Sequence, residues 1–256
     1  MTGLALIEIH NLVKRYGDKI AVDNISLDVH AGEVFGFLGP NGAGKTTTIK
    51  MIVGLLQPTS GSVSVGGYDV QAQPLLAKAA SGYVPDTPNL YAKLTGRELL
   101  CFVGDLYDLD RNQVAQRTDE LLRMFDLTAA ADDTVDSYSH GMQQKASLAS
   151  ALMHDPRVLV LDEPTVGLDP KSARLIKDIL RQMADRGAAV FLSTHILEIA
   201  ERMCDRIGII NKGVLIAVGT MNELRALGKA GEVSLEDIFL GLTGGAEEAE
   251  IAEILK

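Results

Sequence analysis

Residues 39–46 read Gly39-Pro40-Asn41-Gly42-Ala43-Gly44-Lys45-Thr46: a glycine, four residues, then Gly-Lys-Thr. A polyphosphate needs many donors and little bulk, and glycines let successive backbone N–H groups turn inward around a β-phosphate. Lys45 supplies a point charge for the β- and γ-phosphates, and the Thr46 hydroxyl is placed to hold Mg²⁺. Asn41, Gly42, Ala43, Gly44 and Thr47 complete the expected cradle. Upstream, the apolar run Val34–Leu38 reads as a strand. Downstream, Thr47–Val53 reads as a helix closed by Gly54. Strand, loop and helix are the context such a loop requires, because a helix N-terminus presents partial positive charge to phosphate. A dinucleotide-binding loop does not fit, since no third glycine has the right spacing.

A second pair of residues supports the same chemistry. Val158–Leu161 is uniformly apolar, as a strand buried on both faces of a parallel sheet should be. Asp162 and Glu163 follow at its carboxyl end, where α/β sheets bind ligands. Asp162 is placed to reach Mg²⁺ directly or through water, and Glu163 to polarise an attacking water. An isolated Asp-Glu would read as a helix cap and a surface acid. Downstream of a phosphate loop, the catalytic reading prevails.

The elements that must position these residues fall into three segments. Leu6–Ile9, Ile25–Val29 and Val34–Leu38 are short apolar runs between polar turns, and Ser62–Val65 with Gly66-Gly67 adds a hairpin. A helical block of about residues 87–154 follows. In it Thr95-Gly96-Arg97-Glu98 fits a capping box, Val114, Leu121, Leu122 and Phe125 fall at helical spacing, and Gly141–Met153 forms a helix capped by Ser139. The third segment alternates strand and helix: Val158–Leu161, Pro170–Ala184 behind an Asp169 cap, Ala189–Ser193 and Ile196–Met203. Ile207–Ile210 and Val214–Val218 form a hairpin across Asn211-Lys212-Gly213, and Thr220-Met221-Asn222-Glu223 opens a C-terminal helix. The expected fold is an α/β P-loop NTPase core with an antiparallel β subdomain and an inserted helical subdomain. Residues 1–225 form that domain, and 226–256 a short helical extension.

Composition narrows the partners. The net charge is −10 and no basic stripe stands out, which argues against a nucleic-acid partner. The longest apolar stretches are far shorter than a membrane span, and the N-terminus does not resemble a signal peptide. Cys101 and Cys204 are the only cysteines and read as reduced thiols of a cytosolic protein. His10, His30 and His154 read as ordinary structural histidines.

Further motifs carry a family resemblance. Ser139-His140-Gly141-Met142-Gln143 resembles the Leu-Ser-Gly-Gly-Gln signature of ATP-binding cassette (ABC) proteins, with Ser139 and Gly141 retained. Gly167-Leu168-Asp169-Pro170 resembles the family's D-loop, and Ser193-Thr194-His195 its switch histidine. Tyr16 matches the aromatic that stacks on adenine. Gly82-Tyr83-Val84-Pro85-Asp86 resembles the Q-loop, with Asp86 where glutamine is usual. The similarity runs from about residue 6 to 220, in family order. It implies the ABC ATPase fold, ATP and Mg²⁺ as ligands, and Thr46, Asp86 and Asp162 around the metal. It also implies a second cassette chain bound head to tail, so that Ser139 and Gly141 act on the partner's nucleotide.

The resemblance further implies a separate integral-membrane permease, with the chain held peripherally on the cytoplasmic face. The Asp86-containing loop, Pro88-Asn89-Leu90-Tyr91 and the segment Ser234–Gly245 resemble ATPase subunits of exporters. The alternatives are a soluble mechanical ATPase acting on a macromolecular partner and a regulatory subunit with little turnover. Permease docking is expected at residues Asp86–Tyr107, through exposed Leu90 and Tyr91. The acidic tail Ala246–Lys256 reads as a solvated helix or frayed end.

Overall fold

A computed structural model describes residues 3–227 and 234–243 of the chain. The tail Ala246–Lys256, and Gly244-Gly245 before it, lie outside the described residues.

Two sheets share one apolar layer. The first is antiparallel, in the order β2-β1-β4-β5, from β1 (Ala5–Tyr16), β2 (Lys19–His30), β4 (Ser60–Val65) and β5 (Tyr68–Asp69). The second has the order β10-β9-β3-β8-β7-β6 and contains β3 (Val34–Leu38), β6 (Ser81–Val84), β7 (Val158–Asp162), β8 (Ala189–Thr194), β9 (Arg206–Asn211) and β10 (Val214–Gly219). Its strands pair in parallel, except that β10 returns antiparallel to β9.

Alternation along the buried strands sorts side chains to two cores. Val158 and Val160 of β7 face the antiparallel sheet with Phe35, Phe37 and Phe191. Leu159 and Leu161 face the helical side with Val190 and Leu192. Phe191 stands at the centre of the first core, with ring centroids 5.6 Å from Phe35 and 5.3 Å from Phe37. Helices α1 (Lys45–Ile52) and α6 (Pro170–Asp185) contribute to the two cores.

The helical block contains α3 (Gly96–Leu106), α4 (Arg111–Met124) and α5 (His140–Ala151). Thr95 and Glu98 exchange both bonds of the expected capping box, Ser139 accepts from Met142 N, and Asp169 accepts from Ser172 N. These caps depend only on neighbours within one turn, so local sequence specifies them.

Several expectations change. The first two strands extend well beyond Leu6–Ile9 and Ile25–Val29. Their added residues are largely polar and interrupted by register shifts, with Asn11 and Asn24 at positive φ, which hides any clean alternation. Helix α2 (Pro74–Ala79) and edge strand β6 were not foreseen. The first buries only Ala77 and the second spans four residues, so neither carries a legible periodicity. Leu90 is half-buried against the helical core and is not the exposed residue expected.

The stacked phenylalanines generate a prediction. Phe191→Ala removes a ring that fills the space between two others and should cost about 3–5 kcal/mol. Equilibrium urea unfolding of wild type and variant checks this, read as the midpoint at unchanged slope.

Candidate functional site

The phosphate loop connects β3 to α1 and is shaped by steric limits. A Cβ on Gly39 would lie 2.4 Å from the Ile210 carbonyl, and one on Gly44 would lie 2.6 Å from the Ala21 carbonyl. Gly44 also sits at φ 112°, so no other residue fits there without strain. Lys45, only 7% exposed, donates to the Gly39 carbonyl at 2.6 Å, and its ammonium lies 3.9 Å from Glu163 Oε1. Burial pulls the Lys45 ammonium below its ordinary value, and the charges of Glu163 and Asp162 pull it back.

The acids arrive on β7, paired with β8. Asp162 is 1% exposed. Its Oδ1 accepts from the Ser193 hydroxyl of β8, whereas its Oδ2 has no partner among the described residues. Burial pushes the Asp162 carboxyl above the usual carboxylate range. The nearby Ser193 and Thr46 hydroxyls oppose that rise, and the Asp86 and Glu163 charges add to it. A buried oxygen without a partner, beside the Thr46 hydroxyl, suits a divalent cation that takes its remaining ligands from phosphate and water. Glu163 has φ 50° and turns back toward the end of β8. His195 Nδ1 lies 2.9 Å from Glu163 Oε1, and His195 N donates to Glu163 Oε2 at 3.3 Å.

A cavity of about 530 Å³ lies over these groups. From the loop it is lined by Asn41, Gly42, Gly44, Lys45, Thr46 and Thr47. Tyr16, Asp86, Asp162 and Glu163 close it from other elements. Tyr16 is 50% exposed, with the Lys14 ammonium 5.2 Å from its ring centroid. Asp86 accepts from Thr87 N.

Not every expected residue reaches this cavity. Ala43 is buried, donates to the Pro40 carbonyl and accepts from Gly213 N. His195 does not line the cavity and touches it only through Glu163. Ser139 and Gly141 lie elsewhere: Ser139 caps α5, and a Cβ on Gly141 would meet Leu168. Conversely, Lys19, Ile20, Ala21, Lys212 and Gly213 line the cavity without having been singled out for it. Nor did sequence reasoning find the Ser193 hydroxyl on Asp162. A serine at a strand end carries no signal until β7 and β8 are paired.

A glycine loop between strand and helix, a buried lysine, and two acids at the end of β7 define a P-loop ATPase carrying an inserted helical block. The family model described as "ABC transporter" matches residues 22–166. The chain is 42% identical over 219 residues to the linearmycin resistance ATP-binding protein LnrL of Bacillus subtilis (strain 168), covering 86% of this chain and 70% of that one. It is 42% identical over 221 residues to the Nod factor export ATP-binding protein I of Burkholderia lata, covering 86% and 73%. Among solved structures, an ATP-binding subunit of an ABC transporter superposes with TM-score 0.89 at 34% identity over 93% of this chain and 99% of that one. A dimeric cassette in a post-hydrolysis state, bound to ADP and Pi, superposes with TM-score 0.77 at 25% identity over 84% and 98%. The chain belongs to the ABC transporter family, as an ATP-binding subunit with ATPase activity.

The raised Asp162 carboxyl makes a testable consequence. A carboxyl whose folded value exceeds its unfolded value favours folding when protonated, and that contribution is lost as pH rises through the raised value. Ionised Asp162 therefore destabilises the nucleotide-free chain at neutral pH. Asp162→Asn keeps an acceptor for Ser193. It should raise Tm at pH 7, by about 2–4 °C per kcal/mol relieved, and flatten the fall of Tm as pH climbs from the acid range. Thermal scans across pH, without nucleotide, measure both.

Proposed function

We propose that the chain powers an export system by hydrolysing Mg-ATP between two cassettes arranged head to tail, docked beneath a separate integral-membrane permease on the cytoplasmic face. The observation that carries this reading is the division of the site. The phosphate loop and both acids converge on one cavity, while Ser139 and Gly141 lie outside it. A second chain that supplies its Ser139 and helix N-terminus completes the phosphate enclosure. The dimeric cassette among the structural neighbours supports that arrangement. Export is supported by the names of the relatives, one a resistance protein and one an export protein. Among the described residues no helix is long and apolar enough to cross a membrane.

Within this reading each residue has a task. Lys45 exchanges its bond to the Gly39 carbonyl for the β- and γ-phosphate oxygens. Tyr16 offers its free ring face to adenine, and Gly42, Gly44 and Thr47 line the phosphate path. Thr46, Asp162 and Asp86 would hold Mg²⁺, which when bound would neutralise charge on the phosphates. Glu163, held by His195, orients the attacking water and takes its proton. Closure of the dimer excludes water and strengthens each of these interactions. Residues 1–225 form the cassette, with 87–154 as its helical insertion and 226–256 as an extension.

A groove of about 650 Å³ runs beside the site, and Thr46 and Asp86 line both it and the nucleotide cavity. A permease element seated there contacts a residue that also senses the nucleotide. Leu90 and the 68% exposed Leu106 line it, and Tyr91, 61% exposed and edge-on to Phe102, follows Leu90 in the chain. Leu90 is half-buried and packs on the helical core while also lining the groove.

Two experiments test the reading. Glu163→Gln should retain ATP affinity, lose nearly all turnover and form a dimer in Mg-ATP by light scattering. A variant that stays monomeric argues against the two-cassette site. The pair Tyr91→Asp with Leu106→Asp should reduce the fraction of chain sedimenting with membranes while ATP affinity stays at the wild-type value. Unchanged sedimentation would move the docking surface elsewhere.

A further inference from the structure

Three lysines line the nucleotide cavity, and only Lys45 belongs to the phosphate motif. Lys19 is the register partner of Tyr16 across the Gly17-Asp18 turn, which puts it at the base end of the cavity. Lys212 arrives from much later in the chain, on the β9–β10 hairpin, whose strand β9 pairs with β3.

Three features of that hairpin tip stand out. Asn211 pairs with Val214, so the connection is the two-residue loop Lys212-Gly213, with φ 48° and 85°. Positive φ at both positions is the type I′ turn, which favours Asn or Gly at the first central residue. A lysine there is strained. Next, the tip is clamped in place. Gly213 N donates to the Ala43 carbonyl at 2.8 Å, Asp23 N donates to the Gly213 carbonyl at 2.8 Å, and a Cβ on Gly213 would lie 3.0 Å from the Ala21 carbonyl. The backbone that carries Lys212 is therefore tied to the phosphate loop on one side and to β2 on the other. Last, Lys212 forms no hydrogen bond or ion pair among the described residues, although the chain has ten more acidic than basic residues.

We propose that Lys212 is a nucleotide-binding residue, its ammonium pairing with the α-phosphate of ATP or ADP from the hairpin wall. This rests on the nucleotide site described above and extends it. Lys45 serves the β- and γ-phosphates and Tyr16 the base. Lys212 and Gly213 line the cavity together with Ala21, Gly44 and Thr47, and Lys45 is the one cation that the motif side chains supply to it. The strained turn holds the lysine at that wall, and the two backbone clamps fix its origin, so the pairing loses less freedom than a mobile surface lysine would. Because the α-phosphate is common to both nucleotides, Lys212 contributes to affinity in both and does not distinguish the substrate from the product.

The experiment measures ATP and ADP dissociation constants by calorimetry at low and high salt, with thermal unfolding of each variant. Lys212→Met should weaken ATP and ADP binding by the same factor, roughly three- to tenfold, and reduce the salt dependence of both. Lys212→Arg should restore most of the affinity. Lys212→Gly relieves the positive φ, so it should raise Tm and still show the affinity loss, a combination that a merely structural lysine does not produce. Wild-type affinities in the folded Met and Gly variants overturn the proposal, as does a loss confined to ATP. A wild-type chain that binds neither nucleotide overturns the site reading itself, and the Lys212 assignment with it.

Discussion

Lys45, Asp162 and Glu163 are three ionisable side chains gathered in one cleft, and the rest of the structure is arranged to hold them there. An ion withdrawn from water costs several kcal/mol unless its partners replace the solvent. Lys45 is compensated by the Gly39 carbonyl and by Glu163 at 3.9 Å, and Glu163 by His195 at 2.9 Å. Asp162 is only half compensated, with one oxygen held by Ser193 and the other without a partner among the described residues. A cleft whose charges are incompletely satisfied has a strong tendency to take up an ion and a polyphosphate. Part of the folding free energy is withheld at this point and returned when ligand binds.

Holding the cleft open requires a backbone that approaches its neighbours more closely than side chains permit. Gly39 and Gly44 abut the carbonyls of Ile210 and Ala21, one from each sheet. The phosphate loop is thus wedged between the parallel sheet and the antiparallel sheet. The Phe35, Phe37 and Phe191 stack fills the layer beneath it. The β9–β10 hairpin completes the wedge, because its tip bonds to Ala43 and to Asp23. The same contacts that fix the loop's shape bring Lys212 to the cavity, so the lining of the cavity depends on the packing of the two sheets.

Asp86 connects the chemistry to the outer surface. It lies after β6, its charge acts on Tyr83 and Asp162, and it lines both the nucleotide cavity and the adjoining groove. Burial, together with those nearby acids, pushes the Tyr83 hydroxyl up to about 12, so it stays a neutral donor. On the proposed reading, an element seated in the groove and a nucleotide in the cavity compete for or cooperate through one carboxylate. Coupling of that kind needs no long relay, only a shared wall.

The order of motifs and the local caps were legible in the sequence because each depends on residues within a few positions. The phosphate loop with its flanking strand and helix, the Thr95 capping box, the Ser139 and Asp169 caps and the buried apolar run of β7 all belong to this class. Their physics is that of backbone conformation, near-neighbour hydrogen bonds and period-two burial. What tertiary structure alone decided is the content of the site beyond the motifs. Ser193 reaches Asp162 only because β7 and β8 pair in register. Lys212 reaches the cavity only because a hairpin near the end of the domain folds back onto the phosphate loop. Leu90 is half-buried because the helical core closes over it, although its loop sequence reads as exposed. Strand β6 and helix α2 are short and bury few residues, so they take their conformation from the sheet and helices beside them. Contacts between residues far apart in the chain leave no periodicity in the sequence, and here they determine which side chains meet the ligand.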